Sequence, residues 1–362
     1  MTSRLETAHV TAVVKAALQA PSGDNCQPWR FAWDGQRLHI RFDEARAASL
    51  YDVNHAASWI ALGAALTNLH IASRHLGVQI DQQQLLPEDA RDGTVAHMAL
   101  QPCAPIDHPL FQAVYTRCVN RRAYENTPLR AALRDELLAL AARTPNARLD
   151  LIETREQKGT LASLAARNEQ LLFEHRQLHD GLYRWLRWTR EEALRTGDGL
   201  PIESLELRFF ERPGFRLLGW WPAARAAAAL RMTHLLPLRS QRVYEQSAAI
   251  GLLSVSGGHP EDFVRGGELL QRLWLTATLR GLAFQPITGM ICLWWRCQRA
   301  SGEGLSPLHR QLVENTARAL ERFFPDGMRQ TPLMLFRVGY ADPATGRAQR
   351  KPIDAVLQMT TP

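Results

Sequence analysis

Residues 20–31 read APSGDNCQPWRF. Upstream, residues 8–19 set Val10, Val13, Val14, Ala17 and Leu18 on one side of a helix. Downstream, residues 30–42 (RFAWDGQRLHIRF) alternate around Asp34-Gly35, the signature of a tight β-hairpin. Pro28 and Trp29 are unsuited to a helix interior. The segment is therefore a loop of small residues and amides between a helix and a strand. Trp29 is placed in the core beneath it.

Residues 56–76 (AASWIALGAALTNLHIASRHL) form an alanine-rich helix stopped by Gly77, and 265–280 (RGGELLQRLWLTATLR) repeat the pattern up to Gly281. Gly63 to Gly77 and Gly267 to Gly281 each span fourteen residues. A second echo runs from a helix over 129–142 through Thr144-Pro145-Asn146 into the alternating RLDLIE. The echoes predict an internal duplication, with a first repeat over 1–108 and a second over 109–362. The period is too long for a solenoid, so a pseudo-twofold arrangement follows. The fold class is α+β, with helices packed on antiparallel or mixed sheets in an intrachain pseudo-dimer. The second repeat holds a helical insertion at about 165–245. Its most apolar part, 214–238, is broken by Arg216, Arg225, Arg231 and prolines, so it does not read as a membrane span; a lid or helical insertion is the first reading and a membrane-surface element the alternative. Gly197 and Gly199 are candidate hinges for that lid, and Trp294 or Trp295 candidate walls of a pocket behind a default of core packing.

Lysine and arginine exceed acids by 43 − 36 = +7, and the pI is about 9.5. That favours an anionic partner: nucleic acid, a membrane surface or a phosphate-bearing small molecule. The basic residues are scattered and no nucleic-acid-binding motif is present, which argues against nucleic acid. Five cysteines without CxxC spacing indicate reduced thiols and a cytoplasmic protein. There is no HExxH, no P-loop and no GxGxxG after a strand. His175 and His179, four residues apart, have metal-binding spacing but no third ligand, and read as exposed helix positions.

Two segments carry chemistry. In RCVNRRAY (117–124), Asn120, Arg121 and Arg122 form a candidate phosphate grip, the alternative being a solvated basic loop. Arg347, Arg350 and Lys351 form a second basic cluster. In GLAFQPITGM (281–290), Pro286 blocks a helix and Gly289 lets a backbone amide approach a flat ligand, the alternative being an ordinary turn.

APSGDNCQPWRF resembles the APS-x-x-N-x-QPW segment of the nitroreductase-like, FMN-dependent oxidoreductase superfamily. GLAFQPITGM resembles its G-L-x-x-x-P-I-x-G loop, RVGYADPATGRAQRKP its terminal strand and basic phosphate contact, and NRRAY its R-x-S-x-R motif. The resemblance implies FMN, with NADH or NADPH as transient reductant and a small aromatic, nitro or quinone-like acceptor. It implies phosphate contacts from Asn120, Arg121 and Arg122, completed by Arg350 and Lys351. Pro286, Ile287, Thr288 and Gly289 would line the isoalloxazine, with the amides of Thr288 or Gly289 meeting N5. Pro21, Ser22, Gly23, Asn25 and Gln27 would reach the cofactor from the other half.

The register departs from the family pattern. Asn120 stands for serine and Cys118 for the first arginine, so Arg117 or Arg121 must substitute. The phosphate motif lies in the second repeat, which resembles the Acg-like branch, where one chain imitates a nitroreductase dimer. That implies one FMN per chain, in a monomeric pseudo-dimer or a loose homodimer, with no nucleic acid and no stable membrane insertion. An FMN-sequestering protein with a closed lid is the alternative function.

Overall fold

Two twenty-residue helices, Ala56–His75 and Pro260–Leu279, form the centre of the molecule. The computed structural model describes residues 5–87 and 93–359. Small residues let the two helix backbones touch. A Cβ on Gly63 would lie 2.0 Å from the Val264 carbonyl oxygen, and one on Gly267 would lie 2.1 Å from that of Ile60. Each glycine thus meets the residue three places before the other. That reciprocity is the mark of a twofold interface, here within one chain. Gln271 adds a buried hydrogen bond, donating to Asn68 Oδ1 at 2.7 Å.

Each central helix serves its own sheet. The first contains β1 (Trp29–Trp33), β2 (Arg37–Phe42), β3 (Val78–Leu85) and β4 (Thr94–Pro102). The second contains β5 (Ala147–Ile152), β8 (Ala249–Val255), β9 (Ala283–Ile287) and β10 (Thr331–Gly339). A two-residue pair, β6 (Leu186–Arg187) and β7 (Leu200–Pro201), sits in the insertion. The remaining strand, β11 (Leu357–Met359), returns to the first sheet and pairs parallel with β1. The orders are β11-β1-β2-β4-β3 and β5-β8-β10-β9. All of β8 and nearly all of β10 are buried, as apolar strands at the centre of a covered sheet must be. The hairpin at Asp34-Gly35 forms as its pattern predicts, with Gly35 at φ 95°.

Three expectations change. Residues 283–287 form a strand rather than a loop, and Pro286 sits opposite Phe336 on edge strand β9, where a missing N–H is tolerated. The insertion starts inside a longer helix, Arg155–Glu174. His175 and His179 are buried rather than exposed. The His175 ring accepts from Leu178 N–H as a helix cap, and the His179 ring lies 2.7 Å from the Leu218 carbonyl oxygen. Among the described residues no group of three potential metal ligands occurs, and no helix is long and apolar enough to cross a membrane. All five cysteines are free.

Candidate functional site

A cavity of about 1470 Å³ lies where the two halves and the insertion meet. Its walls are the loop Pro21–Cys26, the segment Arg117–Arg121, the turn Gln285–Met290, the stretch Gly346–Arg350 and the insertion helices. Pockets for one drug-sized ligand usually enclose about 300–1,000 Å³. This one has room for more than a single such molecule.

The opening loop is shaped by its amides. Asp24, Asn25 and Gln27 all take positive φ (47°, 55° and 52°), which short polar residues tolerate better than β-branched ones. Asn25 Nδ2 donates to the carbonyls of Gly199 at 3.0 Å and Gln349 at 2.9 Å. Gln27 Nε2 donates to Gly197 O at 2.9 Å, and its Oε1 accepts from Lys351 N at 3.1 Å. The amide pair therefore rivets the loop to the insertion and to the 346–351 stretch. Gly197 and Gly199, the expected hinges, are fixed points: a Cβ on either would run into backbone at 2.7 and 2.3 Å. Arg46 strengthens the seam, holding Asp198 at 2.7 Å while Arg187 holds the other oxygen at 2.5 Å. Burial alone would raise the Asp198 carboxyl, but the two guanidiniums bring it below the usual range.

At one end of the cavity Arg117, Arg347 and Arg350 converge. Arg117 is 3% exposed, donates to Gln19 O at 2.8 Å and stacks 4.3 Å above the Trp274 ring. Arg350 Nη1 donates to Asn25 Oδ1 at 3.0 Å and Nη2 to Gln19 O at 3.1 Å. Burial, then repulsion from Arg350 and Arg347, pushes the Arg117 guanidinium well below its ordinary value. Burial and Arg347 push Arg350 down to about 9. Among the described residues no carboxylate pairs with any of the three, in contrast to Arg46 and Arg187. The Nε–H groups of Arg117 and Arg350 are buried without an acceptor. Clustered cations lacking a counter-charge are an incomplete arrangement, one that an anion would complete.

The flat wall is the β9 turn. Pro286, Ile287, Thr288 and Gly289 all line the cavity, and the helix Gly289–Arg299 starts there, its first amides lacking intrahelical acceptors. A Cβ on Gly289 would lie 3.6 Å from the Tyr51 ring. Across the space, a Cβ on Gly23 would meet nothing within 4 Å, so that glycine borders open volume.

A second polar group lies under the insertion. Tyr244 and Ser240 both donate to Glu169, whose carboxyl burial raises. Arg121 donates to Ser204 O at 3.0 Å and feels both Glu169 and Asp24. Burial lifts the Asp24 carboxyl to about 6 despite Arg121. Asp24, Tyr51, Glu169 and Tyr244 all line the cavity and were not singled out from the sequence. Asp24 alone had a visible signal, as an acid inside the small-residue loop.

Of the residues singled out, Pro21, Ser22, Gly23, Asn25, Arg117, Arg121, Pro286, Ile287, Thr288, Gly289, Arg347 and Arg350 line the cavity. Gln27, Asn120, Arg122 and Lys351 stand behind or away from its wall. Asn120 is a buried clip that donates to Asp342 O at 2.8 Å and accepts from Arg122 N–H at 3.0 Å. The Arg122 side chain is 38% exposed and faces Asp342 at 3.5 Å. Trp295 is buried, donating to Pro332 O at 3.0 Å, and neither it nor Trp294 reaches the cavity. Trp29 is 1% exposed in the core. Arg337, unremarked in the sequence, is fully buried, donates to Gln285 Oε1 at 2.8 Å and Arg122 O at 2.7 Å, and lies 3.7 Å above the Tyr124 ring. It ties the 117–124 segment to β9.

No protein-family model matches the chain. It is 24% identical to Acg of Mycobacterium tuberculosis over 98% of both chains. It is 24% identical to PigM of Serratia over 77% of this chain and 79% of that one. Both are named as candidate NAD(P)H nitroreductases. It is also 28% identical to protein MT1398 of M. tuberculosis over 94% of its own length, but spans only about half of that relative, 47%. Among solved structures it partly resembles the FMN-dependent nitroreductase NfnB of Mycobacterium smegmatis in complex with NADPH. There the identity is 16%, the coverage 70% of this chain and 98% of the other, and the TM-score 0.38. The four sequence motifs thus gather around one cavity, and the likeness to Acg, named as a candidate NAD(P)H nitroreductase, runs along nearly the whole chain.

Proposed function

We propose that the chain is an FMN-dependent oxidoreductase that binds one FMN and passes electrons from NADH or NADPH to a small aromatic, nitro or quinone-like acceptor. The observation that carries this reading is the trio Arg117, Arg347 and Arg350, unpaired by any described carboxylate, on the wall of a cavity lined elsewhere largely by apolar side chains. An amphiphile with a phosphate tail and a flat ring fits both surfaces. FMN supplies, when bound, hydride acceptance from a reduced nicotinamide and delivery of electrons to an oxidised acceptor.

The chain's own residues would do the rest. Arg117, Arg347 and Arg350 hold the phosphate, with Arg121 on the adjoining wall. Pro286 and Ile287 supply a flat apolar surface, while the amides of Thr288 and Gly289 offer donors to a ring that gains negative charge. Pro21, Ser22, Gly23 and Asn25 close the opposite side; Gln27, Asn120 and Lys351 hold those segments in place. Asp24 retains its proton in weakly acid solution and stands on the wall as a proton source. The halves read as repeats over 1–108 and 109–362, each giving one side of a single site in a cytoplasmic protein that needs no second chain.

Sequestration of FMN is the second reading, favoured by the riveting of Gly197 and Gly199 beneath the insertion. One titration separates the two. The purified protein should show a flavin spectrum, release about one FMN per chain, and bleach when NADH or NADPH is added without oxygen. Bound flavin that does not bleach establishes sequestration; a colourless chain that takes up no added FMN removes both readings.

A further inference from the structure

The insertion has an outer face that neither the core nor the cavity explains. Among the described residues, seven of the thirteen exposed large apolar side chains lie between 209 and 238: Phe209, Phe210, Leu217, Trp220, Leu230, Met232 and Leu238. Phe209 is 89% exposed and Leu230 72%. Burying such groups against the protein would have been favourable, and a concentration of them left in water marks an interaction surface. Over the same stretch, 208–242, there are seven arginines and a single acid, Glu211. Glu211 is already engaged, 3.6 Å from Arg239. Arg208, Arg216, Arg225 and Arg231 are exposed, and no described carboxylate pairs with them.

Charge and apolarity together decide what fits. An acidic protein would satisfy the arginines but leave projecting Phe209, Phe210 and Trp220 in need of pockets. Nucleic acid would stack on aromatic rings but gains nothing from Leu217, Leu230, Met232 and Leu238. An anionic lipid surface meets both demands, phosphates for the guanidiniums and acyl chains for the apolar tips. Continuity with the cavity points the same way: Leu217, Leu230 and Met232 are exposed on this face and also line the cavity. On this face the cavity therefore has an apolar stretch of rim.

We propose that the 208–238 face docks peripherally on an anionic lipid surface, setting the cavity mouth against the membrane. The second molecule that the cavity has room for would then be an apolar, lipid-dissolved compound entering from the bilayer. That last clause rests on the oxidoreductase reading, whereas the docking itself does not.

The test is co-sedimentation of the purified full chain with vesicles of phosphatidylcholine alone or mixed with phosphatidylglycerol. Binding to the mixed vesicles only, weakened by salt, is expected. The variant R216E/R225E/R231E should lower the affinity roughly a hundredfold or more. F209S/F210S/W220S should lower it roughly tenfold. None of these six residues lines the cavity, so flavin content and the thermal melt should match the parent, which separates loss of docking from loss of fold. A chain that stays in the supernatant with phosphatidylglycerol vesicles overturns the proposal. So does light scattering that shows a dimer abolished by the aromatic variant while vesicle binding is unchanged, because a second copy then covers the face. Vesicle binding by a chain that holds no flavin would leave the docking standing and remove only the oxidoreductase reading.

Discussion

The two halves agree where their central helices cross and disagree where those helices end. At the crossing, Gly63 and Gly267 make matching backbone contacts to Val264 and Ile60. Beyond Gly77 the first half runs into the antiparallel pair β3 and β4. Beyond Gly281 the second half makes edge strand β9, then the turn and helix that wall the cavity. The first half contributes instead its opening loop, with Asp24 and Asn25. Shared packing has thus been kept apart from shared chemistry: one interface supports one site, built from unlike contributions.

The likeness of the halves breaks most easily at the glycines. Gly63→Ala and Gly267→Ala each force a methyl group into backbone at about 2 Å. Each should cost about 3 kcal/mol or more, by similar amounts, in urea unfolding followed by circular dichroism. Very unequal losses would mean that the crossing is not symmetric in energy. The difference between the halves is probed at the arginine trio. Arg117→Ala or Arg350→Ala should weaken FMN binding roughly a hundredfold, about 3 kcal/mol. The flavin-free chain should be little harmed, because repulsion among the clustered cations is relieved. Flavin fluorescence titration reads the first effect and thermal melting the second; unchanged affinity would dislodge the phosphate from this end.

A smaller effect concerns the acid that the first half supplies. With its carboxyl held near 6 against 3.8 in the unfolded chain, folded Asp24 binds a proton that the unfolded state has released. Stability from this group is therefore present below pH 4, falls as pH rises from about 4 to 6, and is flat above. Asp24→Asn should abolish that fall in a series of melts across the window. A parent chain that gains stability from this position over the same window would contradict the sign. Smallest of all is Arg122→Ala. Its half-exposed pairing with Asp342 is worth about 1 kcal/mol or less, and FMN affinity should stay within about twofold. A large loss there would restore Arg122 to the site.

Much of this was legible before any coordinates. Helical periodicity found both central helices, and the fourteen-residue glycine spacings matched them to each other. Asp34-Gly35 gave the hairpin, and Pro286 with Gly289 flagged the flat wall. What escaped was the direction of side chains in irregular chain. Residues 117–124 follow no regular period, so nothing in RCVNRRAY tells that Arg117 and Arg121 face the cavity while Asn120 clips the Asp342 carbonyl and Arg122 faces outward. The burial of His175 and His179 escaped for a related reason: their partners, the carbonyls of Gly304 and Leu218, are backbone groups far away in sequence. Glu169 and Tyr244 meet only because helix Arg155–Glu174 packs on helix Leu236–Glu245. Arg337 was the readable omission, a lone charge inside the apolar run PLMLFRVGY that had to find several acceptors.

The parallel pairing of β11 with β1 has a consequence in time. A ribosome delivers residues 29–33 long before 357–359, and it delivers Arg347 and Arg350 after every other wall of the cavity. The second sheet can settle while the chain is still growing, since β5, β8, β9 and β10 are complete by residue 339. The first sheet waits with β1 as an open edge, and the arginine-lined end of the cavity waits with Arg117 alone. Nascent chains should therefore be unable to capture a ligand at this end until residue 350 has been delivered, and such capture becomes a signal that synthesis has passed that point.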